Sequence, residues 1–382
     1  MKKVVVASDS FKECLSSMDV VYAATNAIRK VFPNCEVIGI PVADGGEGTV
    51  NALVDAMEGK LICCRVHNPL MHIIETFYGI LGDGKTAVIE MAAASGLTLV
   101  PIEERNPLLT TTYGTGKLIR DALLRGCNRF LIGIGGSATN DAGTGMLQAL
   151  GFRFLDKEGN ELGQGGQILD KICSIDRSQV IPQLQTAVFI IACDVNNPFS
   201  GENGAAWVYA RQKGAGEAMI RQLDNGLKHL ARVILDTEQQ DIDRISGAGA
   251  AGGLGGGFLA FLQATLKPGI QMVLETLCFD EQIRGADLLI TGEGQMDRQT
   301  GMSKTPVGIL KAEKKQGIPV IAIGGSIEDS ESLNCLGFLS VLPIQPGVVT
   351  LEQAKDKEFA TRNIQRTLEQ QLRIIRYFQS IK

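Results

Sequence analysis

The residues of this chain that are best suited to chemistry lie in segment 130–143, which reads FLIGIGGSATNDAG. A short apolar run of strand type is followed by glycines and then by small polar residues that end in a carboxylate. Glycine lets a backbone approach a ligand closely, and N–H groups that converge at the start of a helix can bind an anion. Apolar residues on one face of segment 144–150 predict that helix. The segment is a candidate anion-binding loop, although a strand-to-helix turn that holds nothing would show the same pattern.

Five further polar clusters follow predicted strands in the same way. Ligands of an open parallel sheet bind outside the carboxyl ends of its strands. Carboxylates beside glycine loops, with lysines nearby, are typical of phosphoryl transfer, which needs a Mg²⁺ site, cations on the phosphates and a carboxylate to orient a hydroxyl group. The clusters are residues 8–12 (SDSFK), residues 44–47 (DGGE), residues 194–197 (DVNN), Glu293 with Asp297, and residues 324–326 (GGS).

The strands and helices that must position these clusters divide the chain in two. Strand–helix alternation in residues 1–60, resumed near residue 285, predicts a flavodoxin-like (Rossmann-like) parallel α/β domain. Residues 61–284 begin with three strand-like runs joined by short turns, which predicts an antiparallel meander at the start of a large inserted α/β domain. We therefore expect one domain from residues 1–60 plus 285–382, a second from residues 61–284, and the active site in the cleft between them.

Some boundaries of individual elements follow from local signals. The β-branched run at residues 3–8 predicts a buried strand, and Ser16 with Asp19 three residues on predicts a capping box that begins a helix. Short apolar runs predict strands at residues 287–290 and 319–323, with glycine loops after them. An apolar helix is predicted at residues 258–266, and a long amphipathic helix ends the chain.

Composition excludes several classes of function. The formal net charge is −5 with Lys and Arg scattered along the chain, and aromatic residues make up 5%. Nucleic-acid binding needs a dense basic face or stacking platforms, so we expect no such partner. No apolar run approaches the roughly 20 residues of a membrane helix, and the apolar start of the chain is too short for a signal peptide. We expect a cytoplasmic protein with no membrane partner.

Histidine and cysteine usage narrows the chemistry further. The three histidines, His67, His72 and His229, lie outside the glycine-rich motifs. Histidine zinc sites, Ser-His-Asp hydrolysis and histidine-dependent dehydrogenation are therefore disfavoured. The nine cysteines are odd in number and show no CxxC pair. This usage predicts reduced structural thiols.

Two standard nucleotide motifs give different results. No G-x-x-x-x-G-K-[ST] motif occurs, because residues 114–117 (GTGK) lack the first glycine and are followed by Leu118; the chain is not a P-loop kinase. Gly133, Gly135 and Ala138 match a permissive dinucleotide fingerprint, with Asp156 about 20 residues on. A NAD-dependent dehydrogenase of a small hydroxy acid therefore stays open as an alternative, and so does a non-catalytic metabolite-binding protein.

Motifs spread almost from end to end make the chain resemble the bacterial glycerate kinases of the glyoxylate and aldarate pathways. The matching stretches are residues 9–12 (DSFK), 42–49 (VADGGEGT), 90–97 (EMAAASGL), 113–116 (YGTG), 133–143, 192–198 (ACDVNNP), 249–255 (GAAGGLG), 267–269 (KPG), 291–294 (TGEG), 297–300 (DRQT) and 304–306 (KTP). Glu13-Cys14 and Gln295-Met296 depart from the family pattern, at a loop contact and at a position where a cation is common.

The resemblance implies an ATP-dependent kinase that uses Mg²⁺ to phosphorylate D-glycerate, giving 2-phosphoglycerate and ADP. The residues by themselves leave the 2- or 3-hydroxyl, the domain that holds ATP and the formation of a homo-oligomer undecided. Within this interpretation we assign catalytic roles to Asp194, Asp44 and Lys12, and metal binding to Glu293 and Asp297. The residues assigned to substrate or nucleotide binding are Ser10, Gly45, Gly46, Gly135, Gly136, Ser137, Thr139, Asn140, Asp141, Asn196 and Lys304.

Overall fold

The structure is a computed structural model that describes residues 1–296, 304–314 and 316–381. Its strands, in chain order, are β1 Lys3–Ser8, β2 Glu36–Pro41, β3 Lys60–His67, β4 Ile73–Ile80, β5 Thr86–Glu90, β6 Arg129–Gly133, β7 Arg153–Leu155, β8 Ser174–Asp176, β9 Val188–Ala192, β10 Thr265–Lys267, β11 Leu288–Met296, β12 Val320–Ile327 and β13 Ser340–Pro343. Its α-helices are α1 Ser17–Val31, α2 Thr49–Ala56, α3 Ala92–Ser95, α4 Tyr113–Leu124, α5 Thr144–Ala149, α6 Ala205–Tyr209, α7 Glu217–Glu238, α8 Ala250–Leu262, α9 Gly269–Thr276, α10 Phe279–Gln282, α11 Thr305–Glu313, α12 Ser330–Leu336, α13 Leu351–Lys355 and α14 Lys357–Ile381.

The chain forms two compact units. The first unit consists of Met1–Asp44, Asn51–Met57 and Ile270–Lys382, and the second of Gly45–Val50 and Glu58–Gly269. The sequence prediction placed residues 270–284 in the inserted domain, whereas the structure places them in the first unit. These residues form α9 and α10, and Gly308 of α11 lies against Ile270, where an added Cβ would come within 2.3 Å of its Cγ1.

The first unit contains a five-stranded parallel sheet with the strand order β13-β12-β11-β1-β2. Counting only the strands of this sheet, the order is 2-1-3-4-5, which is the flavodoxin-like order. The predicted flavodoxin-like class is confirmed, and β1 has the predicted bounds. The strand order reverses between β1 and β11, and folds of this class bind ligands at that point.

Helices α1 and α14 pack on this sheet and bury its apolar side chains. Ile28 of α1 and Leu368 of α14 belong to the same core as Val4, Ile290 and Ile323 of the strands. Helix α1 begins with the predicted capping box, in which the Ser16 Oγ accepts from the Asp19 N–H and the Asp19 carboxylate accepts from the Ser16 N–H, both at 3.1 Å. Local capping and tertiary burial therefore favour the same helix start.

Two glycine loops predicted in this sheet are in fact strand. The strands β11 and β12 continue to Met296 and Ile327, which pair with each other. A Cβ added to Gly325 would lie 2.4 Å from the carbonyl oxygen of Gly294. The glycines thus allow two neighbouring backbones to approach closely, a use of glycine that a sequence pattern does not distinguish from a turn.

The second unit contains a six-stranded mixed sheet with the order β10-β9-β6-β5-β4-β3. The predicted antiparallel meander is present as β3, β4 and β5, and β5, β6, β9 and β10 continue the sheet in parallel. Phe130 of β6 and Phe189 of β9 stack at 4.8 Å between ring centroids in the core of this unit. The apolar helix predicted at residues 258–266 starts earlier, as α8, and ends at Leu262, so that residues 265–267 are free to pair with β9 as β10.

Helix hydrophobicity and the state of the cysteines bear on the class of protein. Within residues 1–296, 304–314 and 316–381, no helix is long and apolar enough to cross a membrane. All nine cysteines are free thiols.

Candidate active site

The first unit has a cavity of about 650 Å³ at the carboxyl edge of its sheet. Every strand of the sheet contributes to it, because the residues that follow β1, β2 and β13 and the last parts of β11 and β12 all line it. The carboxyl ends of parallel strands share one edge, so this is where the topology collects polar side chains. The lining includes Asp9, Ser10, Lys12, Asp44, Glu293, Lys304, Gly325 and Ser326.

Two carboxylates of this cavity lie close together. Asp9 is 4% exposed, and its oxygens accept from the Ser10 N–H at 2.6 Å and the Thr305 hydroxyl at 2.8 Å. Burial, followed by the negative charge of Asp44, raises the pKa of Asp9 from 3.8 to about 6. A carboxyl group with such a pKa is suited to proton transfer near neutral pH. Asp9 was missing from the sequence-based assignments, although it directly follows β1 inside a quoted motif.

Lysines supply positive charge to the same cavity. Lys12 is exposed and lies close enough to Asp9 to lower its pKa, against the effects of burial and Asp44. Lys304 is half-buried at the N-terminal end of α11. Glu293 is 8% exposed on β11. Five of the residues assigned from the sequence therefore line one cavity: Ser10, Lys12, Asp44, Glu293 and Lys304.

The wall contributed by residues 344–355 gives the cavity a different chemistry. Ile344, Val349, Leu351 and Ala354 line it, together with Phe11 from the loop after β1. Helix α13 begins in this wall with a capping box between Thr350 and Gln353. The cavity thus combines charged groups at the strand ends with apolar side chains, which is the usual composition of a site for an amphipathic small molecule.

The carboxylates fit a hard cation. Mg²⁺ is bound by oxygen ligands, commonly one or two carboxylates together with water and substrate phosphates, and Asp9, Asp44 and Glu293 offer such oxygens at one cavity. Among the described residues, no group of three or more His, Cys, Asp or Glu side chains is arranged to hold a metal ion by itself. The assigned metal ligand Asp297 lies outside the described residues.

The glycine loop after β6 belongs to the second unit. Gly135 and Gly136 are exposed, and Gly136 adopts a left-handed φ of 74°. Ser137 is almost buried, and its hydroxyl accepts from the Lys213 ammonium at 2.6 Å. Lys213 was not among the sequence-based assignments, because its partners come from a loop more than 70 residues away.

The last three assigned residues of this loop are buried. Thr139, Asn140 and Asp141 are fully buried. The Asp141 carboxylate accepts from the Thr112 N–H and hydroxyl at 2.7 and 2.8 Å and from the Gly143 and Gly145 N–H groups. Burial raises the pKa of Asp141. Its side chain therefore holds the loop to the N-terminal ends of α4 and α5, and ligand binding by it stays a prediction.

The remaining assigned residues lie at the carboxyl edge of the second sheet. Asp194 is exposed after β9, and its carboxylate accepts from the Gly269 N–H at 3.1 Å. The Asn196 side-chain oxygen accepts from the Ser246 hydroxyl at 3.0 Å. Gly45 has a φ of 89°, and a Cβ on it would lie 2.7 Å from the Cα of Gly269. Gly46 follows, half-exposed, and its carbonyl accepts from the Thr49 N–H.

The dinucleotide fingerprint does not have the structural context that this motif requires. After Ala138 the chain continues through buried loop residues, and α5 begins only at Thr144. The Asp156 carboxylate accepts from the N–H groups of Glu158 and Asn160 in its own turn. A dinucleotide-binding motif needs a helix that begins at its third glycine position and an acidic side chain that can bind the ribose. Neither requirement is met here.

Comparisons with known proteins agree with one another. A family model described as "Glycerate kinase family" matches residues 4–376. A glycerate kinase of Halalkalibacterium halodurans is 48% identical over 370 residues, covering 95% of this chain and 97% of that protein. A glycerate 2-kinase of Escherichia coli K12 is 46% identical over 372 residues, covering 96% and 98%. A crystal structure of a protein assigned as glycerate kinase 2 from Salmonella typhimurium LT2 superimposes with a TM-score of 0.92 at 42% identity, covering 99% of both chains.

These relatives support neither the dehydrogenase nor the metabolite-binding alternative. The match spans both units and includes the residues that line the cavity of the first unit. The chain belongs to the glycerate kinase family.

Proposed function

We propose that this protein transfers the γ-phosphoryl group of ATP to D-glycerate, at the 2-hydroxyl, giving 2-phosphoglycerate and ADP. Relatives named glycerate kinase and glycerate 2-kinase support the reaction. The observation that carries the proposal is the cavity of the first unit, where Asp9, Asp44 and Glu293 occur with Lys12 and Lys304. Phosphoryl transfer depends on positioning and on charge stabilisation, and this set of side chains supplies both.

We assign the charged residues to two tasks, acceptance of the hydroxyl proton and stabilisation of the phosphate charge. Asp44 is half-exposed at the end of β2, and we assign it to orient the substrate hydroxyl and accept its proton. Asp9 is held by Ser10 and Thr305 and acts as a positioning residue beside Asp44. Lys12 and Lys304 stabilise negative charge on the transferred group. When bound, Mg²⁺ would be held by Glu293 and Asp297, as assigned from the sequence, and would neutralise phosphate charge.

The same cavity also suggests where the nucleotide binds. ATP has a polyanionic end and an apolar end, so we assign its base to the wall formed by Ile344, Val349, Leu351 and Ala354, and its phosphates to the lysines. Replacing the exposed Leu351 by Asp should raise KM for ATP about tenfold, because an apolar contact is lost and a negative charge is gained. The KM for glycerate and the melting temperature should change little. Leu339→Asp is the matched control, because Leu339 is 60% exposed, compared with 70% for Leu351, and lies outside the cavity.

The reaction is tested by incubating the purified protein with ATP, Mg²⁺ and D-glycerate and identifying the phosphorylated product. We expect 2-phosphoglycerate and a stoichiometric amount of ADP. Product at the 3-hydroxyl would correct the position but keep the function. Oxidation of NADH with hydroxypyruvate, in the absence of ATP consumption, would contradict the kinase and restore the dehydrogenase.

Asp194 is the second candidate for orienting the hydroxyl, and its role can be separated from that of Asp44. Asp194→Asn keeps the size of the side chain and its acceptor oxygen for the Gly269 N–H. A hundredfold or greater loss of kcat in this variant, with Asp44→Asn near wild type, would transfer the role to Asp194. The exposed Asp170 gives a matched control in the second unit, since Asp170→Asn removes a surface charge that is unrelated to the carboxyl edge of the sheet.

A further inference from the structure

The second unit contains a fully buried lysine at the glycine loop. Lys213 is 2% exposed, and its ammonium donates to the Ser137 hydroxyl and to the Thr139 carbonyl, both at 2.6 Å. Lys213 lies in a short 3₁₀ turn after α6, and Gly214 follows it with a φ of 94°. A buried lysine is rare unless a carboxylate pairs with it.

No carboxylate forms an ion pair with Lys213 in the part of the chain that the structure describes. Asp141 is the acidic group that acts on it electrostatically, but the oxygens of Asp141 accept from Thr112, Gly143 and Gly145 instead. The backbone of Arg105 lies close to this turn, since a Cβ on Gly214 would lie 2.2 Å from the Arg105 carbonyl oxygen. The Arg105 Nε is also buried without a hydrogen-bond partner.

Polar side chains beside Lys213 lack partners as well. The Thr139 Oγ1 and both side-chain polar atoms of Asn140 make no hydrogen bond, although both residues are fully buried. A buried amide without partners costs on the order of 1–3 kcal/mol, so a folded protein rarely leaves one without a ligand or water. The backbone around this point is strained, with left-handed φ values at Ala142 and Ala251, as is common at ligand sites.

We infer that the loop of residues 135–140 binds an oxyanion, the carboxylate of glycerate or a phosphate group, with Lys213 as its cation and Ser137 and Asn140 as hydrogen-bonding partners. Gly135 and Gly136 are the exposed residues of this loop, and we place the opening of the subsite there. The inference rests on the proposed function for the identity of the anion. It adds to that function the residue that supplies charge in the second unit.

Binding of an anion at this subsite should change the protonation of Lys213. Burial lowers the pKa of Lys213 from 10.5 to about 7, so the free protein at pH 8 holds this side chain mostly neutral. An anion beside it favours the charged form and raises its pKa. Binding at pH 8 should therefore take up close to one proton. The Asp141 carboxylate keeps its own hydrogen bonds to Thr112, Gly143 and Gly145.

The experiment is calorimetric titration of the full-length protein with D-glycerate, with ADP and with inorganic phosphate, at pH 8 in two buffers of different ionisation enthalpy. We expect proton uptake with the probe that occupies the subsite. Uptake with glycerate identifies the carboxylate, and uptake with ADP and phosphate identifies a nucleotide phosphate. Lys213→Met should abolish the uptake and weaken binding of that probe at least tenfold. Lys157→Met, at an exposed lysine of the same unit, should change neither.

Ser137→Ala provides a second variant in case Lys213→Met does not fold. Removing this hydroxyl should weaken binding of the same probe about fivefold and leave the melting temperature nearly unchanged. Equal proton uptake in wild type and Lys213→Met would overturn the inference. Unchanged affinity in both variants would also overturn it, and would mean that the unpaired polar atoms of Thr139 and Asn140 bind only ordered water. Glycerate phosphorylation by the wild type tests the proposed function separately. A protein that binds phosphate with Lys213-dependent uptake, but never phosphorylates glycerate, keeps the subsite and loses the function.

Discussion

The two units both place polar residues after parallel strands, but they treat those residues differently. In the first unit, Lys12 is exposed and Asp44 half-exposed at the lining of an open cavity. In the second, Asp141 and Lys213 are buried beneath the exposed Gly135 and Gly136. An exposed charge can be removed at little cost to folding, whereas removing a buried one changes the stability of the fold as well. Position after a strand therefore does not distinguish a side chain that meets substrate from one that shapes the loop.

Among the variants that test this difference between the two units, we expect the largest loss of activity at Asp44. Asp44→Asn removes the carboxylate to which we assign the hydroxyl proton, and general-base catalysis contributes about 10²- to 10⁴-fold. We expect kcat to fall by roughly a thousandfold with little change in melting temperature. Steady-state kinetics with D-glycerate and thermal melting check both. The exposed Asp55→Asn is the control for charge in the same unit, and near wild-type turnover in Asp44→Asn would remove it from the reaction.

Lys12→Met should have the next largest effect. The variant removes the cation to which we assign charge stabilisation in the transition state, so kcat/KM should fall on the order of a hundredfold. Because Lys12 is exposed, the free energy of unfolding should stay within about 0.5 kcal/mol of wild type. Lys12→Arg should recover part of the activity. If activity and the amount of folded protein fell together, Lys12 would be structural and the contrast between the units would fail at this position.

Asp9 should make stability depend on pH in a defined window. Its pKa is 3.8 in the unfolded chain and about 6 in the folded one, so the folded state binds the proton more tightly. The stabilisation is complete below about pH 4 and is lost as the pH rises through about 6, with a total of about 3 kcal/mol. Urea unfolding at pH 5 and 7 should show a larger loss of stability on raising the pH in wild type than in Asp9→Asn. Parallel pH dependence in the two proteins would contradict the raised pKa.

Asp141 should give the smallest effect on catalysis and a clear effect on stability. Asp141→Ala leaves buried hydroxyl and N–H donors of Thr112 and Gly143 without an acceptor, which costs about 1–3 kcal/mol. Chemical denaturation measures this loss, and kcat is then determined on the folded fraction. A wild-type kcat would identify Asp141 as scaffold. A large loss of kcat without loss of stability would instead support its sequence-based assignment to ligand binding.

Much of the first unit could be predicted from local sequence. The β-branched run of β1, the capping box at Ser16 and the alternation of strands with helices indicated a flavodoxin-like sheet, because periodicity and capping act within a few residues. The bounds of β11 and β12 could not be predicted in this way. Glycines such as Gly294 and Gly325 serve the close approach of strands that are adjacent only in the folded chain.

For the candidate site, the sequence by itself determined the residue types and the strand ends that carry them. It placed Ser10, Lys12, Asp44, Glu293 and Lys304 at the edge where the structure collects them. Only the tertiary structure decided which polar groups are buried, and therefore that Asp9 has a raised pKa and that Lys213 lies against the glycine loop. Burial and electrostatic coupling depend on residues distant in sequence, such as Thr305 for Asp9 and Ser137 for Lys213. No local pattern contains those distances, whereas the order of strands along the chain already fixes which edge of the sheet the polar clusters share.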